Sequence, residues 1–373
     1  MTWILNEERR MLRDSAQAFL AGRAPVAHLR QLRDGADAKG YSPQLWSAFA
    51  EQGYSATLVP EDHGGLGLGV AEAALIAEQI GRTLAPTPFF STAVLAAWLL
   101  KTAGSAAQQA AWLARIAEAD TIMALAVDER PRHRSSAIET TAVREDGDWK
   151  IDGRKLLVLD GHVAQAFIVA ARTEGGMALL LVPAGTPGLG VERTIMVDAH
   201  NAARLTLEGV RVRGDALIGS VATGAALLEQ LLDVGRAVAS AELLGVADEV
   251  FERTVQYLKE RRQFDRAIGE FQALQHRAAE LFCDLELTRA IVRQALAALD
   301  EGAKNAPLLV AQAKARACLT ADRAVQEGVQ MHGGIGMTDE LDIGLFMKRA
   351  RVLQELFGDA AVQMDRVAAL SGY

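Results

Sequence analysis

The chain has 373 residues, a formal net charge of −8, and half of its residues are hydrophobic. That length is enough for two or three domains around a large buried core, and an acidic chain without a Lys/Arg-rich block offers no footing for a polyanion or a membrane surface. Its two cysteines, Cys283 and Cys318, stand in apolar helical stretches and read as buried reduced thiols. No His/Cys pair has the spacing of a metal site. The first segment, Asn6 to Arg13, is a polar helix and not a signal peptide, and no apolar run approaches the roughly 18 residues of a membrane span. These features predict a cytoplasmic protein.

Residues 1–118 carry helical periodicity, as in Met11, Ala16, Phe19 and Leu20 and again in Ala73, Leu75, Ile76 and Ile80, which predicts an all-α N-terminal domain. The run Pro60 to Gly69 interrupts it, because its glycines favour turns over continued helix. Residues 119–221 change to short strand-like runs, Trp149 to Ile151, Phe167 to Ala171, Ala178 to Val182 and Arg204 to Leu207, separated by Gly, Pro and Asp. They predict an antiparallel β-barrel or sandwich. From 222 to 373 helical periodicity returns in four pieces, Leu227 to Lys259, Phe271 to Leu299, Leu308 to Met331 and Asp339 to Leu370, the pattern of a four-helix bundle. The whole is an α+β, three-domain chain with no internal repeat.

Three motifs carry chemistry: Arg261-Arg262-Gln263-Phe264, Phe271-Gln272-Ala273-Leu274-Gln275-His276, and Gln330-Met331-His332-Gly333-Gly334. A planar guanidinium and an aromatic ring are residue types that ligand sites use, and paired glycines let a ligand approach the backbone. Taken singly, these residues also read as a solvated charge, a core aromatic and a helix cap. Jointly, and in this domain order, they make the chain resemble the acyl-CoA dehydrogenase family over essentially its whole length. The resemblance implies FAD as cofactor, with a half-site of Arg261, Phe264, Gln272, Gln330, His332, Gly333 and Gly334 that reaches a flavin held mainly by another subunit. It also implies an acyl-CoA substrate, electron-transfer flavoprotein as acceptor, and a dimeric or tetrameric assembly. On the same resemblance, the Pro60–Gly69 segment is either a connection between helices or a loop over the acyl pocket.

The departures from the family are as informative. Its usual catalytic Glu, in a Tyr-Glu-Gly-Thr segment, falls on Phe357 within Leu356-Phe357-Gly358-Asp359, and the alternative position before an Arg falls on Gly235. Neither residue takes a proton, which the alpha carbon of a thioester must lose to a nearby base. On the flavin side, the family's Thr-Glu-Pro-Gly-Ala-Gly-Ser-like loop reads Asp128-Glu129-Arg130-Pro131-Arg132-His133-Arg134, and the hydroxyl of its Trp-Ile-Thr turn becomes Leu159. Asp265 replaces a usual Gly on the adenosine side. This mixture is similar to the small (beta) subunits of bacterial two-subunit acyl-CoA dehydrogenases of the pimeloyl-CoA and steroid side-chain type. Such chains share the segments 271–276, 331–338 and 356–359, and a larger homologous partner is implied to bring the base and most of the flavin pocket.

Glu242, Glu355 and Asp359 remain as carboxylates near the empty positions, with Asp359 the best placed because Gly358 precedes it. Three readings therefore stay open. They are a subunit that works with a second chain, a self-sufficient homo-oligomeric dehydrogenase using Asp359, and a non-redox hydratase-like or scaffolding homologue.

Overall fold

A computed structural model describes residues 5–373. Helices α1 (Glu7–Arg23), α2 (Val26–Asp34), α3 (Pro43–Glu51), α4 (Val70–Thr83), α5 (Ala97–Ala103) and α6 (Ala106–Ala117) come first, with a π-helix at Phe89–Ala96 ahead of α5. Strands follow: β1 (Met123–Ala126), β2 (Thr141–Glu145), β3 (Asp148–Leu159), β4 (Ala166–Thr173), β5 (Gly176–Pro183), β6 (Leu189–Ile195), β7 (Asn201–Val212) and β8 (Leu217–Ile218). The remainder is α7 (Gly224–Glu260), the ribbon strands β9 (Arg262–Gln263) and β10 (Arg266–Ala267), α8 (Gln272–Asp300), α9 (Ala306–His332), α10 (Ile343–Glu355) and α11 (Ala360–Leu370). The chain divides into two compact units, one of Leu32–Ala73 with Pro86–Gly235 and one of residues up to Gln31 with Ala74–Ala85 and Arg236–Tyr373.

The first unit is built on one sheet of order β6-β7-β3-β2-β4-β5-β8, with β1 paired to β4. Phe167, Val169, Leu180, Val182, Leu205 and Leu207 alternate along their strands and close on Trp149 and Ile151 to form its core. Six consecutive residues of β4, Ala166 to Ala171, are buried, as befits a strand covered on both faces. The sheet corrects the expectation of purely antiparallel pairing. β1 runs parallel to β4 (Met123↔Ala166), and β2 meets β4 in parallel at Thr141↔Arg172. The β2–β3 hairpin supplies the crossover that a parallel pair requires. In the same unit the glycine-rich segment folds back on the chain before it, with Leu66 N–H to Ala56 O (3.0 Å) and Gly67 N–H to Val59 O (2.8 Å).

The second unit holds the bundle. Asn6 caps α1 by accepting from Arg9 N–H at 2.9 Å, and Ala16 and Leu20 face inward, whereas Met11, expected on the apolar face, is 66% exposed. α4 and α7 touch backbone to backbone: a Cβ on Gly81 would stand 2.2 Å from Glu242 O, and one on Gly245 1.9 Å from Glu78 O. The fourth bundle helix expected from Asp339 to Leu370 is two helices, α10 and α11. Phe357 (φ 58°) and Gly358 (φ 102°) both adopt the left-handed region, which stops α10, and Asp359 caps α11 by accepting from Val362 N–H at 3.0 Å. Cys318 is buried as expected, but Cys283 is exposed, because the inward stripe of α8 runs through Leu281, Leu285, Thr288 and Val292 and passes it by.

Candidate active and cofactor sites

The three motifs meet at one end of the bundle. The Tyr257 ring on the last turns of α7 lies 4.4 Å from the His332 ring at the end of α9, and Arg277 on α8 pairs with Glu327 on α9 at 2.6 Å. Between α7 and α8, β9 and β10 form a tight hairpin whose two central residues, Phe264 (φ 53°) and Asp265 (φ 62°), are left-handed. Aspartate tolerates that conformation better than most residues, so the hairpin forms without a glycine at its tip. Phe264 is 85% exposed yet ordered by its neighbours: Phe271 meets it edge-on at 6.1 Å, and the Arg266 guanidinium lies 4.2 Å over the Phe271 ring.

Arg261, Gln272 and Gln330 are exposed, and among the described residues their side chains have no hydrogen-bond or ion-pair partner. A Cβ on Gly333 or Gly334 would meet nothing within 4 Å. His332 differs: it is buried, and its Nδ1 lies 2.7 Å from Gly328 O. Burial pushes its pKa below the ordinary histidine range.

The turn at Leu356–Asp359 is held from three helices. Arg236 Nε on α7 donates to Phe357 O (3.0 Å), Gln363 Nε2 on α11 donates to the same oxygen (3.0 Å), and Lys314 Nζ on α9 donates to Leu353 O (2.7 Å) and Gln354 O (3.1 Å). Lys314 thus caps the carbonyls that end α10. Burial lowers its pKa and raises that of Cys318, 3.3 Å from it. The nearby carboxylates are engaged: Glu242 with Arg349 (2.6 Å), Glu355 with Arg351 (2.5 Å), and Asp359 with the N–H of Val362. The sequence reading missed Lys314 and Gln363, and it noted Arg236 only as the residue after Gly235. One signal was available: Lys314 sits on the apolar stripe of α9 through Val310, Ala317 and Ala321, where a lysine is out of place.

In the sheet unit, the start of the 128–134 segment is tied to β3 just ahead of the 157–161 turn. Lys155, fully buried on β3, donates to Glu129 Oε1 (2.7 Å) and Val127 O (3.1 Å), and Leu156 N–H donates to Asp128 O (2.7 Å). Leu159 ends β3, and Asp160 behind it accepts from Ser91 Oγ at 2.7 Å. Burial alone would raise Glu129, but hydrogen bonds from Lys155 and Thr140 bring its pKa below the ordinary value. A depressed carboxylate contributes stability that is complete above its unfolded pKa of about 4.3 and is lost as pH falls through the lower folded value. Glu129→Gln is therefore expected to lower Tm at neutral pH and to flatten its decline under acid. Parallel acid curves for the two proteins in thermal scans would exclude this role.

Comparison with known proteins agrees with this architecture. Sequence models of the acyl-CoA dehydrogenase N-terminal, middle and C-terminal domains match residues 6–120, 124–210 and 222–371. The chain belongs to the acyl-CoA dehydrogenase family, oxidoreductases that act on a CH–CH bond of an acyl-CoA. It is 32% identical to acyl-CoA dehydrogenase IpdE2 of Mycobacterium tuberculosis (strain ATCC 25618 / H37Rv), over 92% of this chain and 91% of that one. Among solved structures, it is similar to a variant of the Tcur3481–Tcur3483 steroid acyl-CoA dehydrogenase, with 30% identity, TM-score 0.90 and 98% of each chain covered. It is also similar to the ChsE4–ChsE5 complex of Mycobacterium tuberculosis, with 27% identity, TM-score 0.92 and 100% of each chain covered.

Proposed function

We propose that this chain is one subunit of a flavin-dependent acyl-CoA dehydrogenase, lacks a catalytic base of its own, and completes the FAD site of a larger homologous partner. One observation carries the reading. The carboxylate positions hold Phe357 and Gly235, and Glu242, Glu355 and Asp359 each serve an ion pair or a helix cap. Asp359 is a poor substitute, because its oxygen satisfies an otherwise unpaired N–H of α11 and protonating it would weaken that cap.

The residues fit the adenosine diphosphate half of FAD. Arg261 presents a planar fork suited to a diphosphate, Gln272 and Gln330 present amides, Phe264 presents a ring face, and the backbone at Gly333 and Gly334 is open to approach. His332, turned inward against Tyr257, is proposed to shape that backbone and not to donate directly. FAD, when bound, supplies the hydride acceptor. From Arg236, beside the empty base position, to Tyr257, beside the adenosine half-site, α7 runs about 32 Å. That separation supports a half-site serving a flavin whose reacting ring belongs to another chain. The ChsE4–ChsE5 complex among the similar structures supports a partner, proposed here as a larger, base-bearing homologue within a dimer or tetramer. Electron-transfer flavoprotein is the proposed acceptor.

Arg261→Ala is expected to remove a charged contact contributing about 1.5–3 kcal/mol, and so to lower FAD affinity of the assembled enzyme roughly tenfold or more. Flavin fluorescence measures it, and an unchanged affinity would overturn the half-site assignment. A monodisperse mass of one chain in light scattering, with or without the partner, would overturn the shared site.

A further inference from the structure

The segment Arg130-Pro131-Arg132-His133-Arg134 places three guanidinia within five residues of an acidic chain, where the family has small and hydroxylated residues. Its surroundings are already matched in charge. Asp128 Oδ1 lies 2.7 Å from His133 Nδ1, Glu129 pairs with Lys155 and accepts the N–H groups of Glu139 and Thr140, and Glu139 pairs with Arg130. Glu229, on α7, accepts the Ser135 hydroxyl. Arg132 and Arg134 stand apart from this accounting. Both are exposed, and among the described residues neither guanidinium has an ion pair or a hydrogen bond. Between them the His133 side chain, 4% exposed, turns inward against Asp128, which leaves both arginines on the outer side. The loop presenting them is tied down through Lys155, Asp128 and Ser135.

We propose that Arg132 and Arg134 form an anion subsite for phosphoryl groups. Two forked donors side by side suit the several oxygens of a phosphate or diphosphate better than a lone carboxylate. Family membership names two sources of that chemistry, the diphosphate of FAD and the phosphates of coenzyme A; only this choice of sources rests on the functional reading above.

Calorimetric titration of the full chain with pyrophosphate, coenzyme A and FAD tests the subsite, using wild type, Arg132→Gln/Arg134→Gln and Arg132→Lys/Arg134→Lys. Both positions are exposed, and circular dichroism checks the fold. The glutamine pair is expected to weaken pyrophosphate about tenfold or more and to reduce the salt dependence of binding. The lysine pair, which keeps the charge without the fork, should fall between. Loss for coenzyme A with FAD unchanged assigns the subsite to the thioester carrier, and the reverse assigns it to the cofactor. Equal affinities of all three ligands for wild type and the glutamine pair, or no pyrophosphate binding by wild type, overturn the proposal. FAD binding to neither isolated protein agrees with a cofactor site completed by a partner, and the pyrophosphate and coenzyme A results still decide the subsite.

Discussion

Offered a saturated acyl-CoA together with FAD, the purified chain alone is expected to leave the flavin oxidised. The base contributes on the order of 10²–10⁴ in rate, so a hidden native carboxylate would show readily as bleaching in a stopped-flow trace. The proposed reading leaves none to act. Phe357 and Gly235 occupy the two family positions, Glu242 is held by Arg349 at 2.6 Å, and Asp359 caps α11. Phe357→Glu is expected not to restore turnover in the isolated chain, because Leu159 also removes the hydroxyl that relatives use at the flavin. If the wild-type chain alone bleaches its flavin, and Asp359→Asn abolishes the bleaching, the subunit reading is wrong and Asp359 is the base.

Arg349→Met is expected to be the most destabilising single change in the bundle. The Glu242 side chain is 2% exposed and Arg349 donates to it through both Nε (2.8 Å) and Nη2 (2.6 Å). Removing the cation leaves a carboxylate buried without its main counter-charge, at a cost of about 3–5 kcal/mol, whereas replacing both partners by apolar residues of similar volume is often nearly neutral. The double variant Glu242→Met/Arg349→Met should therefore recover most of the loss in the denaturant midpoint. A single variant as mild as the double would show that the pair is not desolvated. That result would also return Glu242 to consideration as a titrating group near the active site.

The departures between sequence expectation and structure have specific causes. Cys283 was read as buried because its neighbours are apolar, but burial on α8 follows the stripe through Leu281, Leu285 and Thr288, and Cys283, two residues from each leucine, lands on the opposite face. The single helix expected over Asp339 to Leu370 ignored a stop and a start standing side by side, Gly358 as the left-handed residue and Asp359 as the cap. The sheet was expected to be antiparallel throughout, but alternation does not encode strand direction. The parallel pairing with β4 depends on where the β2–β3 hairpin sends the chain.

What the sequence determined by itself was the order of helical, sheet and helical regions and the family. Each of these resides in local periodicity or in residue identity at fixed spacing, which survive without coordinates. Only the tertiary structure decided which charges were spoken for. Lys314 on the carbonyls of α10, Lys155 on Glu129, Arg349 on Glu242 and Asp359 on an N–H of α11 all join atoms or form caps whose strength depends on folded geometry. Their counterparts Arg132, Arg134 and Arg261 are exposed and, among the described residues, unmatched for the same reason. Whether a charge is partnered depends on approach to about 3 Å and on exclusion of water, and both are properties of packing rather than of sequence spacing.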